Sequence, residues 1–182
     1  MRITISGPPG SGKTTACSKL SEVLGLDAVV FGKIFRELAA EKNLSLGELG
    51  AIAENDPSID RMIDSRILEI ARAHPDIILE SRLSAYMLSR HSIPAFRILL
   101  EASPEVRMAR VGVREGESLE EATAKTVERQ QSEAKRYMKY YGIDINDRSV
   151  YDLVVNTDNM TPDQVIELIL EKVRDWDAGQ RS

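Results

Sequence analysis

The chain has 182 residues, of which 42% are hydrophobic and 29% are charged, a balance that suits one compact domain with its own core. No apolar run approaches the roughly 18 residues that a membrane span needs, no signal peptide precedes the first strand-like segment, and Cys17 is the single cysteine, so we expect a cytoplasmic protein without an intramolecular disulfide. The net charge of −5 argues against binding to long nucleic acid, which usually needs a basic face.

Strand-like and helix-like segments alternate along most of the chain, which predicts an α/β fold with a parallel sheet covered by helices on both faces. The predicted strands are residues 2–6, 28–31, 76–80, 95–101 and 152–156. The first helix is expected from Lys13 to about Leu24. We assign a single domain whose core comprises residues 1–31, 75–106 and 142–176.

The loop between the first strand and the first helix matches the P-loop pattern G-x-x-x-x-G-K-[ST]. Its glycines let the backbone curl around phosphate oxygens, and the helix that follows adds its positive N-terminal end. Lys13 is expected to reach the β- and γ-phosphates of ATP, and the Thr14 hydroxyl to ligate Mg²⁺. The residues predicted to hold the ATP phosphates are Gly7, Pro8, Pro9, Gly10, Ser11, Gly12, Lys13, Thr14 and Thr15.

Residues 32–74 interrupt the alternation and carry helix signals without a strand. Ser45 and Glu48 form a capping-box pattern that starts one helix, and Asp56-Pro57 starts the next. Isoleucines then recur at helical spacing, at Ile59, Ile63, Ile67 and Ile70. We therefore expect a helical insert mounted on the sheet.

The second half of the chain predicts three long helices. Ser103-Pro104 starts one that reaches about Arg114, and a capping box from Ser118 to Glu121 starts another that runs toward Tyr140 and ends before Gly142. Thr161-Pro162 starts the last helix, beyond which residues 177–182 are expected to be frayed.

P-loops serve kinases, motor ATPases and GTPases, so the loop alone does not give the reaction. The base-reading N-K-x-D of switch GTPases is missing from the sequence, and a short chain with a helical insert suits a small-molecule kinase. A hydroxyl acceptor would benefit from a base, whereas a phosphate acceptor is already mostly dianionic, since its second pKa is about 6. A phosphate acceptor instead needs cations that offset its repulsion from ATP.

Sixteen arginines against eight lysines supply such cations, because arginine grips phosphate oxygens bidentately. Several arginines stand at element ends that would face a cleft beyond the strand carboxyl ends. These are Arg36, Arg82, Arg107, Arg110, Arg114, Arg129 and Arg136. Glu80, at the end of the third strand, is a candidate to hold a Mg²⁺-bound water.

Read together, these features resemble the cytidylate kinases, especially their short archaeal-type form, over nearly the whole chain. The resemblance rests on Gly7 to Thr14, Phe35-Arg36, Glu80 to Leu83, Arg107 to Arg114, and Glu128-Arg129 with Arg136. It implies ATP-dependent phosphorylation of CMP, and usually dCMP. It also implies a P-loop fold with a five-stranded parallel sheet, a nucleoside-monophosphate-binding insert at about 32–74, and a mobile lid with a long helix at about 107–141.

The resemblance also implies residue roles. Arg36, Arg82 and Arg129 would hold the acceptor phosphate, Arg136 would act at the transferring group, and Glu133 would meet the acceptor ribose. The remaining implied contacts are with ATP, from the lid residues Arg110 and Arg114 and, at the adenine edge, from Asn156.

One motif departs from the family. Bacterial cytidylate kinases carry Asp-Gly-Arg-Asp where this chain has Glu80-Ser81-Arg82-Leu83, and their second Asp helps to read cytosine. Arg61 and Asp64 are our substitute candidates, because a guanidinium can donate to the cytosine O2 and N3 and a carboxylate can accept from its N4 amine. The alternative to a role in base recognition is that both are surface residues of an amphipathic helix.

Three alternatives stay open at this point. The chain could phosphorylate AMP or UMP with the same machinery, or it could phosphorylate a small hydroxylated metabolite with Asp60 or Glu80 as the base. It could also be an ATP-binding regulatory module that hydrolyses ATP slowly. We expect a monomer whose partners are small nucleotides.

Overall fold

The computed structural model describes residues 1–180, which form five strands and eight helices. In chain order they are β1 (Arg2–Ser6), α1 (Lys13–Leu24), β2 (Ala28–Val30), α2 (Phe31–Glu41), α3 (Leu46–Ala53), α4 (Pro57–Ala73), β3 (Ile77–Glu80), α5 (Ser84–Arg90), β4 (Phe96–Glu101), α6 (Pro104–Glu115), α7 (Leu119–Tyr141), β5 (Leu153–Asn156) and α8 (Pro162–Gln180). None of these helices is both long and apolar enough to cross a membrane.

The five strands form one parallel sheet, as the alternating pattern predicts, and their order in the sheet is β2-β3-β1-β4-β5. β1 lies at the centre, where Ile5 is opposite Glu80 of β3 and Ile98 of β4. The P-loop follows β1 and the Glu80-Ser81-Arg82 segment follows β3. The parallel register therefore brings both segments to the same carboxyl edge of the sheet.

The hydrophobic core lies on both faces of this sheet. On one face, Ile3 and Ile98 pack with Leu20 of α1 and Ile169 of α8. The second face includes buried residues of β3, α4 and α5, among them Ile67, Leu79, Leu83 and Leu88. A third, smaller cluster joins α2, α3 and α4 within the helical insert.

The helix starts follow the sequence signals closely. Both capping boxes are present, at Ser45 with Glu48 and at Ser118 with Glu121, and the Asp56 side chain accepts a hydrogen bond from the Ser58 amide. Gly142 ends α7 in the left-handed conformation, with φ of 60°.

Two local expectations differ from the structure. Helix α5 was not expected, because Ser84 to Leu88 are all buried and such a short segment shows no polar face that would reveal a helical period. The expected fraying from Asp177 is wrong for residues 177–180, which continue α8, while residues 181–182 lie outside the described part of the chain.

The P-loop is packed tightly against the first half of α6. Gly10 has φ of +80°, and a Cβ atom at this position would lie 2.5 Å from the carbonyl oxygen of Arg107. Gly25, at the end of α1, has a similar φ of +65° but no atom within 4 Å of its Cβ position. Gly10 is therefore required both by its backbone angle and by the closeness of α6.

These two glycines make a matched pair for mutation. We expect Gly25→Ala to lower the free energy of unfolding by about 1–2 kcal/mol, the cost of left-handed backbone alone. Gly10→Ala adds a backbone clash and should cost a further 1–3 kcal/mol or so. Urea denaturation of both variants checks this, and equal losses would contradict the tight contact between the P-loop and α6.

Candidate active site

A cleft of about 490 Å³ opens at the carboxyl edge of the sheet, between the P-loop, the helical insert and α6–α7. Its walls include many of the charged residues singled out from the sequence. These are Lys13, Arg36, Asp64, Glu80, Arg82, Arg110, Arg114, Arg129, Glu133 and Arg136, together with Pro9, Gly10, Gly12, Thr14 and Thr15 of the P-loop segment.

At one end of the cleft lies the P-loop with Lys13 and Thr14. The Lys13 ammonium donates a hydrogen bond to the Pro8 carbonyl at 2.9 Å, which holds the side chain back along its own loop. Burial lowers the pKa of Lys13 to about 7, Glu80 opposes this shift, and Arg82 adds to it. The Thr14 hydroxyl donates to Glu80 at 3.0 Å, so the residue proposed for Mg²⁺ and the buried carboxylate at the end of β3 are already in contact.

Two arginines of α6 brace this loop from behind. Arg107 is buried and donates to the Pro9 carbonyl at 3.2 Å and to Gln130 of α7 at 2.7 Å. Arg110 donates to the Gly10 carbonyl at 3.3 Å and to the Thr157 hydroxyl and carbonyl at 3.0 and 2.9 Å. These bonds tie the first half of α6 to the core, although the family resemblance assigns Arg110 to a moving lid.

Arg114, one turn further along α6, has a different environment. It is exposed and forms an ion pair with the neighbouring Glu115, which is itself half exposed. Such surface pairs contribute little to stability, so this pair would cost little to break if Arg114 turned toward the cleft. Any lid movement would therefore begin beyond Arg110.

The middle of the cleft carries a carboxylate between two arginines. The Glu133 carboxylate accepts a hydrogen bond from Nε of Arg82 at 3.1 Å and another from Nε of Arg129 at 3.0 Å. Burial acts to raise the pKa of Glu133, but Arg129, Arg82 and Arg136 outweigh it and the net shift is downward, so the group stays charged. Both of its oxygens face arginines, whereas the resemblance implies a contact with the acceptor ribose.

Arg36 completes this cationic region from the insert side. It is a solvent-accessible residue of α2 that lines the cleft, and partial desolvation by the cleft walls, together with repulsion from Arg129 and Arg114, lowers its pKa. Three arginines from three different elements thus face one space. Such crowding of like charges is unfavourable unless an anion offsets it.

Arg136 lies at the far end of the cleft, against the insert. Its guanidinium is 3% exposed, pairs with Asp60 of α4 at 3.2 Å, and stands 5.4 Å from the centre of the Phe35 ring. Its Nε and Nη1 atoms are buried without a hydrogen-bond partner among the described residues. These contacts hold the Arg136 side chain against α2 and α4 of the insert, and the role at the transferring group that the resemblance implies stays a prediction.

Two carboxyl groups of α4 face the same end. Burial raises the pKa of Asp64 to about 7, and a hydrogen bond from the Tyr141 hydroxyl at 2.9 Å acts in the opposite direction. Burial likewise raises the pKa of Asp60 to about 6, while Arg136 acts to lower it. The insert end of the cleft therefore holds a guanidinium and two carboxyl groups that are easily protonated.

Some predicted residues lie elsewhere. Arg61 is exposed and outside the cleft, because it is one position after Asp60 and so about 100° further around α4. Asn156 is also outside the cleft wall, and its side chain accepts a hydrogen bond from the Asp158 amide. Gly7, Pro8 and Ser11 do not line the cleft, although the buried Ser11 and the Pro8 carbonyl support the loop.

Two residues of this site were missed as base-contact candidates, Asp60 and Phe35. The signal for Asp60 was available, since Asp60 and Asp64 are four residues apart and share a helix face with Ile63 and Ile67. A carboxylate on the apolar face of a helix is expected to be buried, and acidic side chains are seldom buried unless they have a partner.

A P-loop at the carboxyl edge of a five-stranded parallel sheet, facing a cleft lined with arginines, defines a P-loop phosphotransferase. Among solved structures, an uncharacterized protein from Eubacterium ventriosum has a TM-score of 0.70 at 15% identity, covering 96% of this chain and 98% of that one. A shikimate kinase from Bacteroides thetaiotaomicron has a TM-score of 0.60 at 14% identity with the same coverage. At these identities the likeness shows the fold.

The sequence comparisons identify one family within this fold. The model of the cytidylate kinase-like family matches residues 2–159. A cytidylate kinase of Natronomonas pharaonis is 47% identical over 99% of this chain and 95% of its own length, and that of Halorubrum lacusprofundi is 43% identical over 98% and 92%. The chain belongs to the cytidylate kinase-like family.

The raised pKa of Asp64 predicts a pH-dependent stability. The neutral carboxyl contributes its full stability below about pH 4, and this contribution is lost as the pH rises through about 7. Asp64→Asn keeps an acceptor for Tyr141 without the charge. We expect it to match wild type near pH 4 and to exceed it by up to roughly 3 kcal/mol above pH 8.

Urea unfolding at several pH values measures this difference. Asp27→Asn, at an exposed position, is the control and should show no comparable rise between pH 4 and 8. A difference between Asp64→Asn and wild type that stays flat with pH would contradict the burial of a reluctantly charged carboxyl.

Proposed function

We propose that this chain is a cytidylate kinase, which transfers the γ-phosphoryl group of ATP directly to the phosphate of CMP or dCMP. The proposal is carried by one observation, the meeting of Lys13 with Arg36, Arg82 and Arg129 in a single cleft. The curated relatives named cytidylate kinases support the choice of CMP as acceptor.

ATP would bind at the P-loop end. The backbone from Gly7 to Gly12 and the N-terminus of α1 would cradle its phosphates, with Lys13 on the β- and γ-phosphates and Ser11, Thr14 and Thr15 nearby. Lys13 would exchange its bond to the Pro8 carbonyl for phosphate oxygens, and the added negative charge would favour its protonated form. Arg114 would fold over the triphosphate, and Asn156 remains a candidate for the adenine edge.

The residues at the P-loop also suit Mg²⁺. A hydroxyl and a carboxylate in contact, as in Thr14 and Glu80, offer the oxygen donors that Mg²⁺ prefers. No group of three or more acidic, His or Cys side chains in residues 1–180 could hold a metal ion without other ligands, so phosphate oxygens and water would complete its shell. Thr14 would ligate the ion and Glu80 would hold one of its waters. When bound, Mg²⁺ offsets charge on the β- and γ-phosphates.

The acceptor phosphate would bind between Arg82, Arg129 and Arg36. Transfer to a phosphate needs no base, since the acceptor is largely dianionic at neutral pH, and the main barrier is repulsion between two anions. The carboxylates that a hydroxyl kinase would use as a base are both engaged, Glu80 by Thr14 and Asp60 by Arg136. These contacts favour a phosphate acceptor over a hydroxyl acceptor.

The base of CMP would enter the insert end of the cleft. Asp64 or Asp60 can accept a hydrogen bond from the cytosine N4 amine, and the free Nη1 of Arg136 can donate to its O2 or N3. Uracil would place its O4 acceptor against the same carboxyl group. A charged carboxylate repels O4, and only the protonated acid can donate a hydrogen bond to it. Phe35 and Tyr137 line the same end and can flank the ring.

Small nucleotides are the expected partners of this enzyme. A cytoplasmic location and a monomeric state remain our predictions for it.

A coupled ADP-release assay with CMP, dCMP, UMP, AMP and GMP tests the function. We expect turnover that depends on the acceptor and is at least about tenfold more efficient with CMP than with UMP, the ratio that 1.4 kcal/mol of selective binding gives. A higher efficiency with AMP or UMP than with CMP would show that CMP is not the preferred acceptor. Hydrolysis at the same rate with every acceptor would instead favour a regulatory ATP-binding module.

The variant Asp64→Asn sharpens this test. An amide can donate to uracil O4 as readily as it accepts from cytosine N4, so the ratio of kcat/KM for CMP over UMP should fall toward unity. Arg61→Gln, at the exposed neighbouring position, is the control and should keep the wild-type ratio.

A further inference from the structure

We propose that Glu133 is a positioning residue, which holds Arg82 and Arg129 so that both point their Nη groups at the acceptor phosphate. This inference rests on the proposed function, because it concerns how the acceptor is bound. It assigns Glu133 a role different from the ribose contact that the family resemblance implies.

The hydrogen bonds to Glu133 leave the Nη1–Nη2 edge of each arginine open. Glu133 accepts one hydrogen bond from Nε of Arg82 and one from Nε of Arg129, each on a different carboxylate oxygen. Within residues 1–180, the Nη atoms of these two arginines have no hydrogen-bond partner, and both side chains line the cleft. The Nη1–Nη2 edge of a guanidinium is one that binds phosphate oxygens in pairs.

The two arginines come from separate parts of the fold. Arg82 follows β3, while Arg129 is one turn before Glu133 on α7. Glu133 is 4% exposed and is the shared partner that fixes one guanidinium relative to the other. Without it, two cations at the same site would repel each other and move apart into the solvent of the cleft.

Because Glu133 is charged, the direction in which its neutralisation changes CMP binding tests this role. A carboxylate beside a phosphate site repels the phosphate, so its neutralisation alone should strengthen CMP binding. If Glu133 instead positions the two arginines, its neutralisation should weaken CMP binding. The two effects have opposite directions.

A second comparison separates positioning from a ribose contact. Both CMP and 2′,3′-dideoxy-CMP carry the phosphate, but the dideoxy compound has no ribose hydroxyl groups for a carboxylate to bind. Loss of positioned arginines must therefore weaken both nucleotides by the same factor. Loss of a ribose contact must weaken CMP alone.

The experiment is titration calorimetry of wild type and Glu133→Gln with CMP, 2′,3′-dideoxy-CMP and ATP. We expect the Kd of both CMP compounds to rise by a similar factor of about 10–100, and the Kd of ATP to stay nearly unchanged. Glu120→Gln, an exposed neutralisation on the same helix, should leave all three Kd values at wild-type level. Thermal unfolding of each variant verifies that the fold is retained.

Tighter CMP binding by Glu133→Gln, or a loss seen with CMP but not with its dideoxy form, overturns the positioning role. Unchanged affinity in the variant also overturns it and leaves the proposed function intact, whereas wild type that does not bind CMP defeats both. If Glu133→Gln fails to fold, Glu133→Asp replaces it. This variant keeps the charge but is too short to reach both arginines, and an unchanged Kd for both nucleotides would again overturn the role.

The double variant Arg82→Ala/Glu133→Gln gives an independent check. Because Glu133 is proposed to act through Arg82, the Gln substitution should weaken CMP binding clearly less when Arg82 is already absent. Equal factors in both backgrounds would contradict the proposal.

Discussion

Repulsion between two phosphate-bearing anions is the constraint on which the rest of this site depends. A kinase that brings ATP and a nucleoside monophosphate together must concentrate positive charge between their phosphates. Cations held close together repel each other when no nucleotide is bound. Here the buried Glu133 lies between Arg82 and Arg129 and offsets part of their charge before any nucleotide binds. The cationic region can thus be assembled in advance, which lowers the cost of ordering it on binding.

Helix α7 links the separate parts of this arrangement. It carries Arg129, Glu133 and Arg136 on one face, and its Gln130 accepts a hydrogen bond from Arg107, whose guanidinium also holds the Pro9 carbonyl of the P-loop. Arg136 of α7 pairs with Asp60 of the insert, so the phosphate loop, the arginines and the insert are all connected through this one helix. We predict that any lid movement on nucleotide binding involves the exposed end of α6 with Arg114.

The sequence predicts the fold and the P-loop well because these features depend on local patterns. Gly7 to Thr14 lie on neighbouring positions, and the capping boxes at Ser45 and Ser118 each need only four residues. The pairing of Arg136 with Asp60 depends instead on how α4 packs against α7, which no local pattern specifies. Arg61 was predicted beside Asp64 as a base contact but lies on the exposed side of α4, because packing against neighbouring elements decides which face of that helix is buried.

A crystal structure of the protein with CMP tests the central claim most directly. We predict phosphate oxygens within about 3 Å of the Nη atoms of Arg82 and Arg129, with Glu133 still on their Nε atoms and the cytosine ring toward Asp64. A CMP phosphate bound away from these arginines, or a Glu133 side chain that has left them for the ribose, would contradict it.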